Sequence, residues 1–189
     1  MTQEIEIEYK NLLTKEEFNC ILRSLPFPAE NRTQINHYFE TEDFSLKQKG
    51  CAIRIREKQG KFQLTLKDPH SKGLLETHDP LTEQEALNWI QGRIQGKENT
   101  TKQLASKGIS PAELIYYGSL TTERRELHHE NVLVVLDYST YNGKSDYELE
   151  VEAPSERVGM QAFQSLLEAY HIEKKHTPNK IQRFFTARL

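Results

Sequence analysis

Several segments of the chain alternate polar and apolar residues with a period of two, the pattern expected of a strand with one polar and one apolar face. Eight segments with this or a related pattern are predicted as strands: 4–10, 35–41, 50–58, 62–67, 74–78, 118–128, 132–138 and 147–151. Gln59-Gly60 and Asn142-Gly143 predict tight turns between neighbouring strands. Seven or eight strands joined mainly by hairpins predict an antiparallel sheet that curls or closes.

Helices are predicted between the strands and after them. Thr14-Lys15-Glu16-Glu17 and Thr82-Glu83-Gln84-Glu85 are capping boxes, and apolar residues follow each of them at helical spacing. The second of these helices is expected to reach Ile94. Further helical segments are expected at 158–170, within 95–110 and for about one turn after Ser110-Pro111. Because such helices would cover the apolar face of the sheet, we predict an α+β fold in which residues 1–189 form a single domain.

The composition is that of an ordinary soluble protein, with 36% hydrophobic and 28% charged residues among 189. The apolar runs are far shorter than the roughly 20 residues of a membrane-spanning helix, and the N-terminus lacks a signal-peptide layout, so we expect a cytoplasmic protein without membrane contact. A net charge of −3 argues against a general nucleic-acid-binding protein. Cys20 and Cys51 form no CxxC pair and are predicted to be reduced core thiols. The sequence gives no indication of the oligomeric state.

Charges on the predicted strands are sorted by sign. Acidic faces carry Glu4, Glu6 and Glu8 on one strand and Glu148, Glu150 and Glu152 on another, whereas a basic face carries Arg54, Arg56 and Lys58. Each strand alone fits an ordinary sheet whose charges face water, but solvated faces usually mix signs. Carboxylates at i and i+2 lie about 7 Å apart and repel unless a cation lies between them. Without a His or Cys cluster, carboxylates favour Mg²⁺ or Mn²⁺, and guanidinium groups favour phosphate.

An ordered set of motifs resembles the CYTH or triphosphate tunnel metalloenzyme superfamily, which includes class IV adenylate cyclases and thiamine triphosphatases. The first is the ExExK hallmark, Glu6-Ile7-Glu8-Tyr9-Lys10. The others, in chain order, are Tyr38-Phe39-Glu40-Thr41, Arg54-Ile55-Arg56, Leu64-Thr65-Leu66-Lys67, Arg124, Asp137 and Glu148-Leu149-Glu150. The family more often has Asp where this chain has Glu40. The resemblance implies an eight-stranded antiparallel β-barrel, or tunnel, with a charged lumen and flanking helices.

The resemblance also implies roles for individual residues. The candidate metal ligands are Glu4, Glu6, Glu8, Asp137, Glu148, Glu150 and Glu152, of which Glu4 and Glu152 extend the matched faces. The candidate phosphate-binding residues are Arg54, Arg56, Lys58, Lys67, Arg124 and Lys180, the last of which would close one tunnel mouth. Lys10 and Tyr38 are the candidate catalytic residues.

The expected activity is Mg²⁺- or Mn²⁺-dependent hydrolysis of a triphosphate-containing molecule. Inorganic triphosphate, thiamine triphosphate, a nucleoside triphosphate and longer polyphosphate all fit, because the charged faces address phosphates and metal rather than the attached group. Two alternatives stay open. One is cyclisation of ATP to cyclic AMP in the same kind of tunnel, and the other is a module that binds polyphosphate or a nucleotide without turning it over.

Overall fold

The computed structural model describes residues 2–188, which divide into two compact units. The first unit contains residues 2–5 and 34–120, and the second contains residues 6–33 and 121–188. The strands are β1 (Gln3–Glu6), β2 (Glu8–Leu13), β3 (Arg32–Thr41), β4 (Ala52–Lys58), β5 (Lys61–His70), β6 (Gly73–Leu81), β7 (Leu114–His129), β8 (Val132–Tyr141) and β9 (Lys144–Glu152). The helices are α1 (Lys15–Ser24), α2 (Ser45–Gln48), α3 (Glu83–Ile90), α4 (Glu98–Ser106), α5 (Glu156–Ala169) and α6 (Lys180–Thr186), and a single 3₁₀ turn spans Pro111–Glu113. Among residues 2–188 no helix has both the length and the apolar character needed to cross a membrane.

The first unit is an antiparallel sheet with one face covered by helices. Its strands follow the order β1-β6-β5-β4-β3-β7, with the β4–β5 hairpin turning at Gln59 and Gly60. Both turn residues have positive φ, 52° and 70°, as a tight two-residue turn requires. The apolar face packs against α2, α3 and α4. This core contains Phe39, Leu46, Ile53, Ile55, Leu64, Leu66, Ala86, Trp89 and Leu104.

The second unit repeats this arrangement with other strands and helices. Its strand order is β7-β8-β9-β2, and the β8–β9 hairpin turns at Asn142 and Gly143, again with positive φ at both residues. The apolar face packs against α1 and α5. This core contains Phe18, Ile21, Val134, Leu136, Leu149, Val151, Phe163, Leu166 and Leu167. In both units, therefore, helices cover the apolar face of the strands, as the alternation predicted.

The local signals in the sequence are confirmed at most of the predicted boundaries. Both capping boxes are present, with Thr14 and Thr82 each accepting a hydrogen bond from the backbone N–H three residues on. The predicted short helix within 95–110 is α4, and the segment after Ser110 is one 3₁₀ turn. The prediction that the second capped helix reaches Ile94 is wrong, because α3 ends at Ile90.

Two further predictions are corrected. The alternating segment 4–10 is not one strand, because β1 pairs with β6 whereas β2 pairs with β9, and the break between them falls at Ile7. The carbonyl of Ile7 accepts a hydrogen bond from the N–H of Ala153 at 3.0 Å, so the backbone stays satisfied across the break. Residues 2–188 therefore contain nine strands. Cys51 is buried as expected, but Cys20 lies on the outer side of α1 and is exposed.

Candidate metal and phosphate site

The polar face of the second unit collects charged side chains from four neighbouring strands. Arg124 of β7 lies opposite Asp137 of β8, which lies opposite Glu148 of β9. Lys10 of β2 lies opposite Glu150 of β9. Because residues paired across a sheet point to the same side, these five side chains share one face. The strand register thus determines which of the alternating charged residues lie next to one another.

Three of these acids form a buried carboxylate cluster. Asp137 and Glu148 are 0% exposed and Glu150 is 5% exposed. One carboxylate oxygen from each lies within 4.8 Å of the other two. Three carboxylates shielded from water at this spacing repel one another strongly, so the cluster requires cations. Because these three side chains are shielded from water, this face is not the solvent-exposed face of an ordinary sheet.

Arg124 supplies the first of these cations. Its Nε donates to Oδ1 of Asp137 at 2.8 Å, and its Nη2 donates to Oδ2 of Asp137 at 2.7 Å. The same Nη2 lies 2.7 Å from Oε2 of Glu150. This two-point contact fixes the guanidinium plane against Asp137. Within residues 2–188, the carboxylate contacts of the remaining nitrogen, Nη1, are loose, at 3.8 Å from Glu152 and 4.0 Å from Glu126.

Lys180 supplies the second cation, from helix α6. Its Nζ lies 2.9 Å from Oδ2 of Asp137 and also contacts Oε1 of both Glu148 and Glu150. A single ammonium group therefore meets all three carboxylates. The sequence predicted Lys180 as a phosphate-binding residue, whereas the structure places it among the candidate metal ligands.

Arg183, one turn after Lys180 on α6, is a charged residue that sequence reasoning missed. Its Nη1 donates to Oε2 of Glu148 at 2.6 Å and to the carbonyl of Pro178 at 2.6 Å. Its Nε donates to Oδ2 of Asp146 at 3.0 Å. The spacing of Lys180 and Arg183, three residues apart in a basic tail, is a signal that two cations share one side of a short helix.

The pKa values in this cluster are perturbed in opposite directions. Burial raises the pKa of Glu148 to about 7, although the neighbouring ammonium of Lys180 opposes this shift. For Glu150, burial acts in the same direction, but Lys180 and Arg124 outweigh it and hold the pKa well below its usual range. Burial lowers the pKa of Lys180, whereas the three acids, led by Asp137, raise it. The acids outweigh burial, so the pKa of Lys180 lies well above its ordinary value. Glu150 and Lys180 are therefore both ionised at neutral pH.

The other predicted metal ligands lie in different places. Glu8 and Glu152 lie opposite each other on β2 and β9. They are on the same face as the pair Lys10 and Glu150, two residues away along each strand. Glu8 forms an ion pair with Lys10. Glu6 lies at the end of β1 and is partly buried. Glu4 belongs to the first unit. That Glu4, Glu6, Glu8 and Glu152 bind metal stays a prediction.

The polar face of the first unit carries most of the predicted phosphate-binding residues. Lys67 pairs across the sheet with Glu76 and forms an ion pair with it, and Nη2 of Arg54 lies 3.9 Å from the same carboxylate. Arg56 donates from Nε to Asn36 at 3.3 Å. The side chains of Arg54 and Lys67 are only 13% and 18% exposed. This face is therefore also shielded from water rather than solvated.

Glu76 and His78 on β6 are members of this polar face that sequence reasoning missed. Nε2 of His78 lies 3.0 Å from Glu4 and 3.4 Å from Glu76, and its Nδ1 is hydrogen-bonded to Thr65 at 2.9 Å. The only signal in the sequence is their alternation within the segment 74–78. Glu4, Glu76 and His78 present ligand atoms within 4.8 Å of one another.

Tyr38, Lys58 and Glu40 complete the predicted set. Tyr38 is 2% exposed and lies opposite Arg54 on the polar face of the first unit, while Lys58 lies at the end of β4 and is partly buried. Glu40 has a structural task, since its carboxylate accepts hydrogen bonds from the backbone N–H groups of Thr41, Leu46 and Lys47 and so holds the start of α2. The glutamate side chain, which is longer than the aspartate more common in the family, is accommodated within that turn.

The carboxylate cluster of the second unit fits a divalent metal. Asp137, Glu148 and Glu150 offer convergent oxygen atoms, and an ammonium group already lies among them. Oxygen-only ligand sets of this kind suit hard cations such as Mg²⁺ and Mn²⁺. The cluster is therefore the strongest candidate metal site among the described residues.

Comparisons with known proteins agree with this description. The sequence model of the CYTH domain matches residues 4–185. The chain is 47% identical over 186 residues to the Bacillus subtilis protein named "Putative triphosphatase YjbK", covering 98% of this chain and 96% of that protein. It is 41% identical to a crystal structure described as a "putative adenylate cyclase" from Bacillus halodurans, with a TM-score of 0.94 and coverage of 98% and 100% of the two chains.

A more distant structure supports the fold alone. HpAC1 from Hippeastrum, described as having a dominant triphosphatase activity, is 22% identical with a TM-score of 0.80, covering 98% of this chain and 97% of that chain. The α+β fold and the family resemblance predicted from the sequence are confirmed. The chain belongs to the CYTH domain family.

Proposed function

We propose that this protein is a metal-dependent hydrolase that acts on a triphosphate-containing molecule. The observation that carries the proposal is the buried cluster of Asp137, Glu148 and Glu150, bounded by the cations Arg124 and Lys180. Buried carboxylates that converge on one point suit a divalent ion, and the cations beside them suit the oxygens of phosphate groups. The name of the 47%-identical Bacillus subtilis relative, which refers to a triphosphatase, supports the same reaction class.

Asp137, Glu148 and Glu150 would hold Mg²⁺ or Mn²⁺. When bound, such an ion supplies charge neutralisation on phosphate oxygens and a positioned water molecule for in-line attack. Arg124 keeps Asp137 and Glu150 oriented through its hydrogen bonds at 2.7 to 2.8 Å. Glu148 is held in the same way by Arg183. The acids are therefore fixed before a ligand arrives, which limits the reorganisation that the reaction requires.

Each unit by itself carries basic side chains that suit the oxygens of phosphate groups. Nη1 of Arg124 is the part of that guanidinium with no close carboxylate contact, so we assign it to phosphate. Arg54 and Lys67 are partly buried cations of the first unit, and both contact Glu76. A guanidinium gives two parallel donors to a phosphate, and an ammonium gives a compact charge. Arg56 and Lys58 extend the same face and are assigned to the same task.

Lys10 is the candidate for stabilising charge on the transferred phosphoryl group. It lies opposite Glu150, is 17% exposed at its side chain and is held by Glu8. An ammonium next to the carboxylate cluster is placed to neutralise the phosphate oxygens that gain charge in the transition state. We assign Tyr38, buried on the other polar face, as the second candidate catalytic residue.

Cyclisation of ATP is the second candidate function. The observation that favours it is the 41%-identical Bacillus halodurans structure described as a "putative adenylate cyclase". Metal and basic residues would serve both reactions, but a cyclase must also hold adenine and ribose. The products distinguish the two, since hydrolysis releases phosphate whereas cyclisation releases pyrophosphate and cyclic AMP.

The experiment is a product assay with Mg²⁺ or Mn²⁺ on inorganic triphosphate, thiamine triphosphate, ATP and longer polyphosphate. Hydrolysis predicts phosphate release that Lys10→Ala reduces strongly. Lys15→Ala, an exposed lysine on α1, is the matched control and is expected to keep the wild-type rate. Cyclic AMP as the main product from ATP would replace the proposal with the cyclase. Tight binding of these compounds without any product would replace it with a binding module.

A further inference from the structure

Lys180 lies within the candidate metal site of the second unit. Its ammonium group contacts Asp137, Glu148 and Glu150 at once, with Nζ 2.9 Å from Asp137. These are the three carboxylates whose oxygen atoms lie within 4.8 Å of one another and form the candidate metal site. The ammonium and a metal ion would therefore draw on the same carboxylate oxygens.

Lys180 does not reach this position by chance contact of a flexible tail. Arg183 fixes α6 to the β8–β9 hairpin through Asp146 and Glu148, and is itself only 9% exposed. Phe184, the next residue, is 0% exposed, and its carbonyl accepts a hydrogen bond from Nδ2 of Asn142 at 2.9 Å. The helix is thus anchored to the β8–β9 hairpin at its turn and along β9, and this anchoring directs Lys180 into the carboxylate cluster.

We propose that Lys180 acts as an internal counter-ion that competes with the divalent metal for the carboxylate cluster. Burying Asp137, Glu148 and Glu150 without a cation between them is unfavourable, and the ammonium neutralises them. A metal ion that enters must displace it. Lysine suits this exchange because its charge is carried on a flexible four-carbon stem, which lets the ammonium move away while α6 stays anchored. This inference rests on the proposed function only in its choice of the metal site.

The test is a measurement of Mn²⁺ affinity by isothermal titration calorimetry and by electron paramagnetic resonance of free Mn²⁺. Lys180→Met removes the competing ammonium and is expected to bind Mn²⁺ at least about tenfold more tightly than the wild type, a change of about 1.4 kcal/mol. Lys174→Met, an exposed lysine of the same C-terminal segment, is expected to match the wild type.

A second control separates competition for a position from a simple change of charge. Lys10→Met removes one positive charge from the same face, next to Glu150 and Glu8, without removing the group that contacts all three acids. Competition predicts that Lys10→Met tightens Mn²⁺ binding much less than Lys180→Met. Equal tightening in the two variants, or unchanged or weaker binding in Lys180→Met, would overturn the inference.

Thermal unfolding gives an independent readout if Lys180→Met folds poorly. Lys180→Gln keeps a hydrogen-bond donor and loses the charge, so it serves as the second variant. Ligand binding to the folded state raises the melting temperature by an amount that grows with affinity. Saturating Mn²⁺ should therefore raise the melting temperature of Lys180→Gln more than that of the wild type, and an equal or smaller rise would contradict competition.

The outcomes also separate this inference from the proposed function. If the wild type hydrolyses triphosphate with Mn²⁺ but Lys180→Met and the wild type bind Mn²⁺ equally, the competition is wrong and the proposed function stands. If neither protein binds Mn²⁺, the carboxylate cluster is not the metal site and both are wrong. If Lys180→Met binds Mn²⁺ more tightly while no triphosphate is hydrolysed, the competition stands without the proposed reaction.

Discussion

Replacing Asp137 by asparagine tests the buried charge cluster at its centre. Asp137 is 0% exposed and receives two hydrogen bonds from Arg124 and one contact from Lys180. Asparagine has nearly the same shape, but it has no charge and presents an NH₂ group to one of these donors. Removing one partner of a buried ion pair typically costs 3–5 kcal/mol, and since Glu150 still contacts both cations we expect about 3 kcal/mol here.

The loss is measured by urea unfolding followed by circular dichroism, with EDTA in the buffer to remove free metal. For a chain of this length, about 3 kcal/mol corresponds to a fall of about 6 to 12 °C in melting temperature. Glu30→Gln makes the same chemical change at an exposed position and is expected to alter stability by less than about 0.5 kcal/mol. A loss below about 1 kcal/mol in Asp137→Asn would refute the view that this carboxylate holds the cluster together.

Three further predictions concern other parts of the chain. Glu40→Gln should destabilise the protein by about 2 kcal/mol in urea unfolding, because the buried carboxylate accepts three backbone N–H groups that an amide cannot all satisfy; an unchanged midpoint would contradict this. Lys67→Met should raise the KM for triphosphate about tenfold or more. Its Mn²⁺ affinity should be nearly unchanged, since Lys67 lies outside the unit that holds the carboxylate cluster. Weaker Mn²⁺ binding with an unchanged KM would instead place Lys67 at the metal. In thiol labelling at pH 9 followed by mass spectrometry, Cys20 should react and Cys51 should not, because burial raises the pKa of Cys51 to about 12 and keeps the thiol protonated. Labelling of Cys51 in the folded protein would contradict its burial.

Local signals explain why much of the fold was predictable from the sequence. A capping box such as Thr14 to Glu17 satisfies backbone donors within four residues, so it marks a helix start without tertiary information. Asn142-Gly143 does the same for a hairpin because both residues tolerate positive φ. Alternation likewise assigned Glu148 and Glu150 to one face, and the β8–β9 register confirms this.

The break in the N-terminal segment was not predictable, because the period of two continues through it. Glu6 and Glu8 keep the same alternation on either side of Ile7, yet β1 and β2 pair with different strands. Periodicity reports which residues share a side of a local segment, not which neighbour the backbone joins. That choice depends on hydrogen bonds to residues far along the chain, such as Ala153.

The contacts of the site charges were also beyond the sequence. For the C-terminal tail, sequence reasoning offered a basic character and Lys180 as a phosphate-binding residue, but not the contacts of Lys180 and Arg183. Those contacts were out of reach because α6 has seven residues and is held by tertiary contacts rather than by its own propensity. Glu76 gave no signal of its role until the hairpin register placed it opposite Lys67. Sequence identifies the candidate charges, but the register and the docking of helices determine which of them meet.

The role of the buried carboxylates in catalysis is measured by Mn²⁺-dependent phosphate release from inorganic triphosphate, compared between the wild type and Glu150→Gln. Glu150 is buried and contacts both Arg124 and Lys180, so its charge belongs to the proposed metal site. We expect the wild type to release phosphate only when metal is added, and Glu150→Gln to release it about 100-fold or more slowly with the fold intact by circular dichroism. Release that needs no metal, or that Glu150→Gln leaves unchanged, would contradict this role.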